Sequence, residues 1–274
     1  MMLNFIHWNI NPEIFNIGGI GLRYYSLLFV SGLISGYIIL KRIYKLENVQ
    51  IEQLDKLAIF VFLGTVIGAR FGHCLFYEPG YYLKHPLEII LPFEGTIGKD
   101  FKFTGYRGLA SHGGAIGVLL AVYIYTRKYK QPLLWVLDRL AIVVPLAGCC
   151  IRIGNFMNSE IVGSPSTLPW AIVFDRLDNI PRHPAQLYEA FSYLVIFFLL
   201  LFFYLKKKGN IKLGVLFGFF LIALFFMRFV LEFLKENQEG FESSMLLNMG
   251  QVLSIPFIII GFFLVFGSQL KHKE

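Results

Sequence analysis

The class of fold is decided by long apolar stretches such as residues 213–234, which read LGVLFGFFLIALFFMRFVLEFL. Only Arg228 and Glu232 are charged in this run of 22 residues. A helix needs about 20 apolar residues to cross the hydrocarbon core of a bilayer. Six further stretches approach this length, so the sequence predicts an all-α polytopic membrane protein with about seven transmembrane helices, the others being 20–40, 57–77, 112–126, 133–151, 188–205 and 246–270.

The composition of the whole chain supports this class. Of the 274 residues, 56% are hydrophobic and 16% are charged, whereas about a quarter of the residues are charged in an ordinary globular domain. These values exclude a soluble enzyme, a disordered chain and a small disulfide scaffold. Because the three cysteines form no CxxC motif and no HExxH motif occurs, neither a redox pair nor a zinc site is predicted. No Lys or Arg precedes Arg23, so we expect no cleavable signal peptide.

The basic residues predict the orientation of the helices. The net charge of +7 comes from 25 Lys and Arg against 18 Asp and Glu. Thirteen basic residues lie in the short segments on one side of a seven-span bundle, and eight lie in the longer segments on the other. Because short cytoplasmic segments collect Lys and Arg, we expect the N-terminus outside and the C-terminus in the cytoplasm. Most of the positive charge then sets the orientation of the helices in the membrane, and nucleic acid is not expected as a partner.

Two connections on the outer side are long, at about 78–111 and 152–187. Long connections in compact proteins usually carry function or are disordered. Aromatic residues, prolines and the apolar run 86–92 indicate order, and this run suggests an interfacial helix. We therefore predict one integral-membrane domain, 1–274, whose outer segments contribute to the substrate site.

Several arginines fall at unfavourable depths. One arginine at mid-helix costs about 2.5–3.5 kcal/mol on insertion scales, and four lie within predicted spans, namely Arg23, Arg70, Arg139 and Arg228. All of these except Arg139 lie toward the outer ends of their helices, and Arg152 lies at the outer end of the fourth predicted span. Snorkelling or ion pairs, such as Arg228 with Glu232 one turn away, would account for them. Alternatively, these arginines could bind a phosphate, because the planar guanidinium group donates several hydrogen bonds in a fixed geometry.

Polar residues share this outer depth with the arginines, namely His112, Asn155, Asn158, Glu160 and Gln186. Arginines and polar groups clustered at headgroup depth suggest a site for an anionic phospholipid that enters sideways from the bilayer. The GxxxG pairs have a simpler interpretation, because such pairs mostly let helices approach closely. We expect close packing at Gly32/Gly36, Gly64/Gly68, Gly113/Gly117 and Gly214/Gly218.

The chain resembles the bacterial prolipoprotein diacylglyceryl transferases most clearly at residues 151–163, IRIGNFMNSEIVG, which are similar to the signature of that family. The similarity covers nearly the whole chain. Six flanking blocks agree in order, namely RYYS at 23–26, GARFG at 68–72, SHGG at 111–114, RHPAQLYE at 182–189, RFVLE at 228–232 and MGQVLS at 249–254.

The resemblance implies a seven-span enzyme of the bacterial inner membrane with its active site toward the periplasm. Such an enzyme transfers the diacylglyceryl group of phosphatidylglycerol to the lipobox cysteine thiol of a preprolipoprotein. A thioether forms and glycerol 1-phosphate leaves, which is the first step of lipoprotein maturation. No metal or organic cofactor is implied, and the partners are phosphatidylglycerol, the lipobox segment and membrane lipids.

The resemblance also assigns roles to residues of this chain. Arg152 and Arg228 look like the residues that bind the headgroup and stabilise the leaving group. Asn155, Asn158 and Glu160 look like a polar frame that orients the lipid, with Glu160 also counted among the catalytic candidates. The two asparagines could instead cap the junction between helix and loop.

Three further residues take roles by the same resemblance. Gly163 would give the backbone its turn, and Tyr25 could donate a hydrogen bond to the phosphate. His112 is the candidate general base, since histidine accepts protons near neutral pH, although it could instead only order the headgroup. Two positions depart from the family pattern: Leu224 replaces a common tyrosine, and Lys235 replaces a common arginine, which keeps the charge but loses the fork.

Two other functions remain open at this level. A transporter or flippase for anionic lipids would use the same arginines, and its usual marks are inverted repeats and broken helices, neither of which the sequence shows. A structural membrane scaffold would leave Arg152, Asn155, Asn158 and Glu160 without a task.

Overall fold

The computed structural model describes residues 5–17, 20–91, 93–94, 102–103, 108, 110–207, 209–236 and 245–270. These ranges are mostly helical. The helices are α1 Tyr24–Leu46, α2 Ile51–Phe76, α3 Pro79–Tyr82, α4 Leu87–Ile90, α5 Ser111–Tyr129, α6 Leu133–Asn158, α7 Ala185–Lys206, α8 Val215–Leu231, a 3-10 turn Glu232–Leu234 and α9 Met249–Leu270. The strands are β1 Ile6–Trp8, β2 Glu13–Ile17, β3 Ile20–Arg23, β4 Phe93–Glu94, β5 Lys102–Phe103, β6 Ile172–Phe174 and β7 Pro181–Arg182.

Six of the helices are long and apolar enough to cross a membrane: α1, α2, α6, α7, α8 with its 3-10 turn, and α9. This confirms a helical, multi-pass membrane protein. The predicted span 112–126 corresponds to α5, which is not among the six. Its first turn is rich in serine, histidine and glycine, and Arg127 and Lys128 lie in its last turn. A count of seven spans therefore remains a prediction.

The helices extend beyond the apolar stretches that predict them. Helix α6 ends at Asn158 rather than at 151, so Arg152 and Asn155 lie in the helix and not in a connection. A helix of 26 residues is about 39 Å long at 1.5 Å per residue, which exceeds the hydrocarbon core of about 30 Å. Hydropathy detects only the apolar part, so its last two turns were assigned wrongly to the connection 152–187.

Contacts divide the chain into two compact units, one formed by Tyr44–Val136 and the other by Met1–Ile43 with Leu137–Glu274. In the first unit, α2 packs against α5 through glycines. A Cβ atom on Gly64 would lie 2.6 Å from the carbonyl oxygen of Gly117, and one on Gly68 would lie 2.7 Å from the Cα of Gly117. The close packing predicted for these GxxxG pairs is confirmed.

The first unit also explains Arg70. Its Nε donates to the carbonyl oxygen of Ile89 at 3.1 Å, and its guanidinium lies 4.9 Å from the ring centroid of Tyr82. Arg70 therefore attaches the last residues of α4 to α2. The predicted interfacial helix at 86–92 is a single turn at α4, Leu87–Ile90, and Pro92 lies outside the described residues.

In the second unit, a Cβ atom on Gly218 would lie 2.9 Å from the carbonyl oxygen of Gly261 in α9, so Gly218 serves the predicted close packing. Gly214 has a conformational role. It has φ of +86° and precedes α8 as its N-cap residue. The amides of Gly214 and Phe217 donate to the two carboxylate oxygens of Asp138 at 2.7 and 2.8 Å. Asp138 is buried and caps α8, whose first amides lack partners within the helix. A left-handed turn at this position favours glycine.

A small sheet of the second unit joins segments that are distant in the sequence. Strand β1 pairs parallel with β6, which pairs antiparallel with β7. Beyond β7, the amide of Gly163 donates to the carbonyl of His183 at 3.0 Å, and the amide of Ser164 donates to the carbonyl of Leu234 at 2.9 Å. The end of α6, the start of α7 and the end of α8 are thereby held together.

Candidate active site

Arg152 lies in the last two turns of α6, and its side chain is only 16% exposed. Its Nε lies 2.9 Å from Oε2 of Glu189, in the first turns of α7. Its Nη1 donates to Oδ1 of Asn155, one turn further along α6, at 3.3 Å. Two separate nitrogens of the guanidinium are therefore held, and its plane is fixed. Asn155 therefore contacts Arg152 from within the helix, whereas its predicted role in orienting the lipid stays a prediction.

Glu189 is completely buried and contacts a second cation. Its Oε1 lies 2.9 Å from the Nζ of Lys235, which also lies 3.2 Å from Oε2 of Glu232. The contacts of Glu189 are close ion pairs, since neither oxygen accepts a well-aligned hydrogen bond. Glu232 thus pairs with Lys235, three residues later, rather than with Arg228 one turn earlier.

Asn158 is the last residue of α6, and Glu160 lies in the turn that follows. The side-chain amide of Asn158 donates to Oε1 of Glu160, while the backbone carbonyl of Glu160 accepts from Nε2 of Gln186 at 2.7 Å. Ser159 and Ile161 on either side of Glu160 have φ of 57° and 55°. This left-handed conformation is a true outlier for β-branched isoleucine. The turn holds the Glu160 carboxylate at an exposed position beside Asn158.

Gly163 is buried where three segments meet. A Cβ atom at this position would lie 2.6 Å from the Cβ of His183 and 2.7 Å from the carbonyl oxygen of Leu234. Both distances are shorter than a carbon atom tolerates. The structure therefore gives close approach of neighbouring backbone as the physical reason for glycine here.

Tyr25 and Arg228 lie in other helices of the same unit. The ring of Tyr25, in the first turn of α1, packs against Gly154, where a Cβ atom would lie 2.8 Å from its Cδ2. Its hydroxyl is within electrostatic range of Glu160 and Arg152. Arg228 is partly buried in the last turn of α8. Tyr193 is buried in α7, one turn after Glu189.

His112 is the one sequence-predicted residue that belongs to the other unit, Tyr44–Val136. It lies in the first turn of α5 and is exposed. Its ring centroid lies 5.7 Å from that of Tyr77 and 6.1 Å from that of Phe76. Contacts around the end of α6 join the other candidates except Arg228. The roles of Arg228 and of His112 stay predictions.

Glu189 and Tyr193 are not among the site residues that the sequence predicts, and Lys235 enters there only as a departure from the family pattern. One signal was available, because Glu189 falls inside the predicted span 188–205, and a carboxylate within a span needs a counter-charge. Nothing in the spacing indicates that Lys235 supplies it, since a lysine after a span normally reaches water. No group of three or more metal-ligating side chains occurs within the part of the chain that the structure describes.

A second ion-pair group holds the sheet beside the site. Arg182 of β7 contacts Oδ2 of Asp178 at 2.6 Å and also pairs with Glu236. Hydrogen bonds from Arg182 lower the pKa of the Asp178 carboxyl, and the same bonds raise the pKa of Arg182. Charge pairing therefore fixes the connection between α6 and α7 next to Gly163.

The sequence matches the family model described as prolipoprotein diacylglyceryl transferase across residues 12–267. Three relatives carry the name phosphatidylglycerol–prolipoprotein diacylglyceryl transferase. The Bacteroides fragilis protein is 48% identical over 95% of this chain and 94% of its own length. The Tolumonas auensis protein is 46% identical over 98% of both chains. The Chloroherpeton thalassium protein is 42% identical over 97% of this chain and 95% of its own. The chain therefore belongs to the prolipoprotein diacylglyceryl transferase family.

Proposed function

We propose that the chain transfers the diacylglyceryl group of phosphatidylglycerol to the lipobox cysteine thiol of preprolipoproteins, forming a thioether and releasing glycerol 1-phosphate. The observation that carries this proposal is the orientation of Arg152, which is held on two nitrogens by Glu189 and Asn155 within residues 151–163. The relatives named above act on phosphatidylglycerol and a prolipoprotein by their names.

The reaction breaks the bond between a glycerol carbon and a phosphate oxygen. A thiol has an ordinary pKa of about 8.5 and attacks as the thiolate, so its proton must pass to a base, for which His112 is the candidate. The sulfur forms a bond to the glycerol carbon while the phosphate oxygen takes the electron pair of the broken bond. The released glycerol 1-phosphate gains one negative charge, which fixed cations stabilise.

The residues around the end of α6 suit this charge. Arg152 and Arg228 would bind the phosphate, and the fork of Arg152 is pre-oriented, so no reorganisation is needed during the reaction. Tyr25, whose ring packs against Gly154, would donate a hydrogen bond to the phosphate. Asn158 and Glu160 would orient the glycerol part of the lipid.

The same proposal includes the membrane arrangement. Seven spans, formed by the six apolar helices together with α5, would place the N-terminus outside and the C-terminus in the cytoplasm of a bacterium. The excess of Lys and Arg in short segments supports this orientation. Residues 1–274 would act as one domain of the inner membrane, with the site toward the periplasm and with 78–111 and 152–187 contributing to it.

A test uses the purified protein in vesicles of phosphatidylglycerol with a synthetic lipobox peptide. Mass spectrometry should detect a peptide that is heavier by one diacylglyceryl group. A peptide with serine in place of cysteine should stay unmodified, because its oxygen is a weaker nucleophile. Absence of lipidated cysteine peptide, or movement of lipid between leaflets without any release of glycerol phosphate, would contradict the proposal and favour a transporter.

A further inference from the structure

A fully buried carboxylate in a membrane protein requires neutralisation, and Glu189 has two cations in contact. Its two oxygens each lie 2.9 Å from a nitrogen, one on Arg152 and the other on Lys235. Burial of an unpaired carboxylate is strongly unfavourable. Glu189 therefore lies between two positive charges, and whatever moves it also moves Arg152.

Glu189 contacts Nε of Arg152 and leaves the two Nη atoms of the guanidinium for other partners. A guanidinium has five N–H groups, and Glu189 and Asn155 together engage two nitrogens of Arg152. The remaining N–H groups could bind a phosphate. A carboxylate at the Nε edge fixes the direction in which those groups point, as supporting residues do at other functional sites.

Lys235 decides how much of the positive charge of Arg152 remains for a substrate. If Glu189 contacted Arg152 alone, the two charges would cancel and attraction for a phosphate would be weak. Lys235 lies 2.9 Å from Glu189 and 3.2 Å from Glu232, so the negative charge of Glu189 is shared between two cations and is not directed at Arg152 alone. Lys235 is also held by its backbone, which bridges to Gly163.

We propose that Glu189 is a positioning residue for Arg152, and that Lys235 balances the charge of Glu189 so that Arg152 keeps its attraction for the lipid phosphate. This inference rests on the proposed function and adds two residues to it. Neither residue touches the reacting atoms, and both act through the guanidinium of Arg152.

The first test compares Glu189→Gln with the parent in the vesicle assay. Glutamine keeps the shape of the side chain and removes its charge, so the guanidinium loses its fixed direction. We expect kcat to fall about 10- to 100-fold, since a misplacement of about 1 Å can cost 100-fold. The KM for the peptide should stay within about twofold, and Glu189→Asp should recover part of the lost turnover.

Asp138→Asn is the matched control, because Asp138 is also a buried carboxylate of this unit but caps α8. This variant should be less stable while its kcat per folded molecule equals that of the parent. If Glu189→Gln behaves in the same way, with lower stability and unchanged kcat, then Glu189 is only structural and the inference is wrong.

The second test is a double-mutant cycle with Lys235→Met. This single variant leaves the charge of Glu189 directed at Arg152 alone, so kcat should fall about tenfold. The double variant Glu189→Gln/Lys235→Met should be no slower than Glu189→Gln, because Lys235 acts through Glu189. Losses that multiply in the double variant would overturn the link between them.

Failure of the proposed function can be separated from failure of this inference. A parent protein that never lipidates the peptide would contradict the transferase. In that case, phosphatidylglycerol binding measured by native mass spectrometry still tests the inference, and weaker binding by Glu189→Gln than by Asp138→Asn is expected. Equal binding by these two variants would contradict it.

Discussion

Replacing Arg152 with lysine tests whether geometry or charge alone is needed at the end of α6. Lysine keeps the positive charge but has one nitrogen in place of three. That nitrogen would be drawn to the buried Glu189, whose Oε2 lies 2.9 Å from Nε in the parent. The contact with Asn155 would then be lost, together with the N–H groups of the guanidinium that could bind a phosphate.

The magnitude follows from the contact that lysine cannot make. One donor to the developing negative charge of a transition state is worth about 2.7–4 kcal/mol, which corresponds to a loss of roughly 100- to 1,000-fold in kcat. Stability should change little, because the ion pair with Glu189 can be remade. We therefore expect a folded Arg152→Lys protein that lipidates the peptide at least 100 times more slowly than the parent.

The assay measures initial rates of peptide lipidation in phosphatidylglycerol vesicles at equal amounts of folded protein. Arg139→Lys is the matched control, since Arg139 lies in the same helix, is buried and contacts Asp138 at 3.9 Å. This control should keep the rate of the parent. If Arg152→Lys lipidates the peptide within about threefold of the parental rate, the planar set of N–H donors of arginine is not required.

Three further predictions concern the framework of the site. Asp138→Ala leaves two amides of α8 without their partner, so the free energy of unfolding in detergent should fall by about 2–4 kcal/mol; an unchanged unfolding midpoint would count against the cap. Gly163→Ala forces a carbon against His183 and should lower lipidation more than tenfold, as measured in vesicles, whereas full activity would show that the backbone can adjust. The pKa of Asp178 is lowered by Arg182, so its contribution to stability is present above about pH 4 and is lost as the pH falls through the lowered value. Acid unfolding curves should therefore differ less between pH 6 and pH 3 for Asp178→Asn than for the parent, and identical curves would contradict the pairing.

Most of the helices were predictable because hydropathy depends on composition alone. The six apolar helices coincide with predicted spans, and the GxxxG pairs of α2 and α5 pack as expected. The error at α6 has a physical cause, since a helix continues after its residues cease to be apolar. For this reason Arg152 was placed in a connection, although a helix fixes it.

The sequence predicts which polar residues lie near each other at the end of α6, but it does not predict the ion pairs that hold them. Arg152, Asn155, Asn158 and Glu160 come from one continuous stretch, and a helix followed by a turn brings them together. Glu189 and Lys235 come from other segments, and their pairing depends on the sheet that joins Gly163, His183 and Leu234. The periodicity of a single sequence cannot predict a contact between residues so far apart in the chain.

The central claim is that Arg152, oriented by Glu189, stabilises a phosphate that leaves as sulfur bonds to glycerol. The most direct measurement follows lipidated peptide and free glycerol 1-phosphate together, in phosphatidylglycerol vesicles, for the parent and for Arg152→Ala. The parent should release one glycerol 1-phosphate for each thioether formed, and Arg152→Ala should form neither product. Unequal amounts in the parent, or parental rates in Arg152→Ala, would contradict the account.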